Sequence, residues 1–167
     1  CDFGARDFEN EGAGIELLRD TKHRSRGIVR ESAHVDRRNG EATALAASEL
    51  TAFSVYWLST GLPITDLPEA LRDRCHSQRR TYREDWLGDL WKRPGVTDPE
   101  SFIATGWDEC LAAFDGLEDA LRTIGPDADP CSAMGAGWVA EEALATAIYC
   151  LLLFPDDAVS AVARGAA

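Results

Sequence analysis

The chain has 167 residues, 45% of them hydrophobic and 28% charged, with a formal net charge of −12. That length fits one globular domain with its own core, and the composition excludes a disordered chain. The acidic balance, with a pI of about 4.6, excludes a protein that tracks nucleic-acid phosphates or lies on an anionic membrane.

No apolar run reaches the roughly 20 residues needed to span a bilayer. The longest, Ala147 to Phe154, suits a buried helix. The five cysteines, Cys1, Cys75, Cys110, Cys131 and Cys150, are odd in number, widely spaced and without a C-x-x-C pair. Reduced thiols in a cytoplasmic protein are the expectation, with no zinc site and no disulfide framework. The chain opens on Cys1 and stops at Ala167 inside a helical pattern, so it reads as a piece of a longer protein.

Residues 1–30 carry little pattern beyond a short helix around Ile15 to Arg19, and residues 31–167 read as a helical domain. Asn39-Gly40 opens a helix that is apolar almost all round, from Ala42 to Leu58, and Gly61-Leu62-Pro63 ends it. Such a helix is expected at the centre of the fold. Asp66 is the expected N-cap of the next helix, with Pro68 in its first turn. Leu67, Leu71 and Cys75 then share a face, and Tyr82, Trp86 and Leu90 repeat that spacing. Lys92 to Gly95 is a turn.

Asp98-Pro99 opens another helix, with an apolar stripe of Trp107, Leu111, Phe114, Leu117, Leu121 and Ile124. Gly125-Pro126 stops it, and a loop runs to Gly137. A helix from about Trp138 to Phe154 and a last one behind Pro155-Asp156-Asp157 complete the pattern. Period-two alternation is absent, so the fold class is all-α, with about five to seven helices. The five tryptophans fall on apolar faces or at helix starts, where core packing is the default role.

The stretch with the most chemistry is Gly135-Ala136-Gly137-Trp138, just ahead of a helix. Main-chain N–H groups at a helix start have no partner within the helix, and the macrodipole adds positive potential. Glycine lets a ligand come close to the backbone, so a phosphate can sit there without Lys or Arg. The plain alternative is a loop that merely starts a helix, with Glu141 and Glu142 offsetting the dipole. The pattern is not the dinucleotide-binding glycine motif, which follows a strand. His34, ahead of the first long helix, is a second candidate, against the plain reading of a surface histidine. The paired carboxylates (Asp108 with Glu109, Asp127 with Asp129, Asp156 with Asp157) mostly sit at helix starts, where capping accounts for them.

The segment Gly135-Ala136-Gly137-Trp138-Val139-Ala140-Glu141-Glu142-Ala143-Leu144, continued by Phe154-Pro155-Asp156-Asp157 and Ala161-Val162-Ala163-Arg164-Gly165-Ala166, resembles the ADP-ribosylglycohydrolase family, including its dinitrogenase-reductase-activating type. Ser32-Ala33-His34 before an Ala-rich helix is similar to a second landmark of that family. The match covers about residues 31–60 and 105–167.

The resemblance implies a compact all-α fold around two Mg2+ or Mn2+ ions. It implies metal-assisted hydrolysis of the bond joining ADP-ribose to a modified acceptor, with an ADP-ribose-containing substrate as partner. It places Gly135, Ala136, Gly137 and Trp138 in the substrate pocket and His34 near it. The family's metal ligands come from an Asp-Asp motif near the N-terminus and a Gly-Gly-Asp-x-Asp motif near the C-terminus. Neither is in this sequence, so no metal ligand and no catalytic residue is carried over. The piece is expected to be hydrolytically inactive alone, and the alternative is a non-catalytic ligand-binding or structural module of the same fold.

Overall fold

The computed structural model describes residues 40–123, 129–135 and 137–166. The expected helix at Ile15 to Arg19, the boundary near residue 30, His34, Ile124 and Ala136 lie outside them. Among the described residues the elements are α-helices and one short 3-10 turn, with no strand. No helix among them is long and apolar enough to cross a membrane.

Helix α1 spans Gly40–Ser59. Its end is a glycine cap: Gly61, at φ 100°, turns the chain, Leu62 N–H bonds Trp57 O at 2.9 Å, and Gly61 N–H bonds Leu58 O at 3.2 Å. That crossed pair is the Schellman arrangement, which uses two carbonyls that the helix leaves open. The expected burial on all sides is not what forms. Ala42, Thr43, Ala46, Ala47, Leu50 and Ser54 are buried, while Ala44, Ser48, Thr51 and Val55 face solvent. Most of the outer residues are small or polar, so they lose little by exposure.

A 3-10 turn, Ile64–Asp66, leads into α2, Leu67–Gln78. Leu67, Leu71 and Cys75 are buried, as their spacing requires. Asp66 stands at the N-cap position but makes no capping bond. Its carboxylate instead accepts from the Thr65 hydroxyl at 3.1 Å. Helix α3 is only Glu84–Leu87. The Tyr82, Trp86, Leu90 spacing therefore does not build a long helix. Gly88, at φ 55°, closes the turn, and Tyr82 OH donates to its carbonyl at 2.8 Å.

Helix α4 runs Pro99–Thr123 without a break. Asp98 caps it reciprocally: Ser101 N–H donates to Asp98 Oδ1 at 2.7 Å, and Asp98 N–H donates to Ser101 Oγ at 3.3 Å. The Ser101 amide, with help from the Thr97 hydroxyl, holds the Asp98 acid below its usual range. The buried stripe is Phe102, Ile103, Gly106, Trp107, Cys110, Phe114, Leu117 and Ala120. Leu111 and Leu121 lie at its edge, partly buried.

The expected loop before Gly137 contains a further helix, α5, Pro130–Met134. The signal was an Asp followed by Pro: Asp129 caps it by accepting from Cys131 N–H at 2.9 Å. Helix α6, Ala140–Leu153, buries Leu144, Ala145, Ile148, Tyr149 and Cys150. Helix α7, Ala158–Gly165, is capped by Asp157, which accepts from Val159 N–H and Ser160 N–H at 3.1 and 3.0 Å.

One core joins α1, α2, α4 and α6. Its tightest point is the crossing of α1 over α4, the most extensive helix pair. Gly106 lies against the main chain of Ala42 and Thr43, and a methyl group there would sit 2.7 Å from Thr43 N and overlap the Ala42 carbonyl. The small residues of α1 thus let two backbones approach. Ion pairs tie the rim. Arg74 reaches Glu49 at 2.7 Å and lies 4.2 Å from the Phe53 ring centroid. Arg72 donates to Phe114 O at 2.9 Å and also pairs with Glu118 at 3.1 Å. Cys75, Cys110, Cys131 and Cys150 are all free thiols.

Candidate functional site

The glycine segment lies between α5 and α6. Gly135 ends α5 with φ 107° and ψ 165°, a conformation essentially restricted to glycine. Its N–H donates back to Cys131 O at 3.0 Å. Gly137 follows at φ 70°. Two residues with no Cβ therefore turn the chain out of one helix and into the next.

Trp138 then stands in solvent with 83% of its surface exposed. The default role of a tryptophan in a core fails here. Trp107, at 3%, is a core residue, whereas Trp138 is the most exposed of the large hydrophobic side chains named among the described residues. Val139 takes the N-cap position of α6 and offers no capping side chain. The start of this 14-residue helix is thus reached from solvent, and it is not sealed in the core.

Both glycine amides are already engaged. Gly135 N–H closes α5, and Gly137 N–H donates to the carboxylate of Glu142 at 3.1 Å. Glu142 is the third residue of α6, where a carboxylate characteristically reaches back to an amide ahead of the helix. Its side chain lies over Gly135: a Cβ on Gly135 would fall 2.5 Å from Glu142 Cδ. The backbone angles require glycine here, and a Cβ would in addition push the flexible Glu142 side chain aside. Glu142 does more than offset the dipole from a distance; it makes a specific bond.

The surroundings are acidic. Burial pushes the Glu141 carboxyl up, its own main-chain amide opposes this, and the neighbouring Glu109 and Glu142 charges add to the rise. Glu109, on α4, accepts from the Thr43 hydroxyl of α1. The head of α6 thus carries two signs. Main-chain dipoles favour an anion, and three carboxylates oppose one.

Of the sequence candidates, Gly135, Gly137 and Trp138 come together in this one loop, while His34 and Ala136 lie outside the described residues. Asp157 and Asp129 are caps, as capping predicts. Asp108 is not. It forms a paired contact with Arg79 at 2.6 and 2.7 Å, which holds its acid below the usual range. Sequence reasoning missed Glu142 as the partner of the loop. The available signal was its place three residues into a helix that lacks a capping side chain. Among the described residues, no three His, Cys, Asp or Glu side chains gather into a group that would hold a metal ion. No protein-family model, no curated protein and no solved structure matches this chain.

Proposed function

We propose that this chain is part of an ADP-ribosylglycohydrolase-type hydrolase that removes ADP-ribose from a modified acceptor. The loop Gly135 to Trp138 would contact the nucleotide. The observation that carries this reading is the placement of a fully presented indole, Trp138 at 83% exposure, between a glycine turn and the start of a helix. An aromatic face can stack on a base, and main-chain amides can donate to a diphosphate nearby.

The anion would have to displace Glu142 from Gly137 N–H. That exchange costs one hydrogen bond and returns another, so it needs little free energy beyond the repulsion of Glu109, Glu141 and Glu142. Two Mg2+ or Mn2+ ions belong to the intact parent in this proposal, where they would polarise the sugar and activate water. Among the described residues no group of His, Cys, Asp or Glu side chains fits such a centre. On this reading the 167-residue chain binds but does not cleave.

A second reading is a non-catalytic helical ligand-binding or structural module of the same fold. The bond between Gly137 N–H and Glu142 favours the structural form, because it occupies that amide without a ligand. Isothermal titration of the whole chain with ADP-ribose separates the hydrolase reading from a purely structural module. The hydrolase reading expects saturable binding that Trp138→Ala weakens roughly tenfold, the scale of one lost base–aromatic contact. No heat of binding with either protein would overturn it and leave the structural module.

A further inference from the structure

We draw no further inference here: the strongest candidate, the solvent-facing apolar stripe of Val159 and Val162 on α7, carries nothing, because nothing in the structure shows what covers it.

Discussion

Gly106 and Gly135 are both places where a methyl group would collide, but they collide with different things. At Gly106 the obstacle is the main chain of the facing helix α1. At Gly135 it is the end of the flexible Glu142 side chain. The first glycine sets the distance between two helices, and nothing nearby can give way. The second shapes a loop on the surface, and its neighbour can swing aside. One residue type therefore fixes the core in one region and leaves a surface adjustable in the other.

The comparison breaks if the two substitutions behave alike. Gly106→Ala forces α1 and α4 apart and is expected to cost about 3 kcal/mol, the upper range for overpacking a core. Gly135→Ala is strained by its backbone angles alone and should cost about 1–2 kcal/mol. Urea unfolding followed by circular dichroism measures both. Equal losses, or the larger loss at Gly135, would mean that the helix crossing is looser than described.

A smaller effect sharpens the core side of the contrast. Tyr149 is fully buried, and its hydroxyl finds no hydrogen-bond partner among the described residues. Removing an unsatisfied buried hydroxyl relieves its desolvation cost. Tyr149→Phe is expected to stabilise the fold by up to about 1 kcal/mol, read as a higher urea midpoint. A loss of stability would show that the hydroxyl has a partner.

Alkaline pH probes the same core through a buried thiol. Burial raises the Cys75 thiol from its ordinary 9.0 to about 12. The folded state therefore holds a proton that the unfolded state releases. The contribution of this group is whole below about pH 9 and is lost as the pH rises toward about 12. Unfolding midpoints between pH 8 and 11 should fall in wild type, and fall less in Cys75→Ala. Parallel slopes would remove Cys75 from the account. Burial raises Cys110 as well, so both thiols should resist alkylation in the native state while the exposed Cys131 reacts.

Much of the helical order was legible in the sequence, because caps and stops are local chemistry. Asp98, Asp157 and Gly61 do in the structure what their positions announce. Tyr82, Trp86 and Leu90 misled, since an i, i+4 spacing says nothing about the glycine at 88 that closes the turn. Helix α5 was hidden by Ser and Gly in a segment that reads as loop by composition, although Asp129-Pro130 marks its start. The glycine loop was legible as a loop at a helix head. Its internal bond was not, because the partner of Gly137 is chosen by the rotamer of Glu142 and not by any repeat. Trp138 shows the same limit: burial of an aromatic depends on what packs across from it, and spacing cannot supply that.

In the proposed function the head of α6 exchanges the Glu142 carboxylate for the diphosphate of an ADP-ribose ligand. The most direct measurement follows the Gly137 amide by 1H–15N NMR while ADP-ribose is added to the whole chain. Exchange at Gly137 should give a saturable shift there that is larger than at core amides such as Cys110. A Gly137 resonance that stays in place at saturating ADP-ribose, with its bond to Glu142 intact, would contradict it.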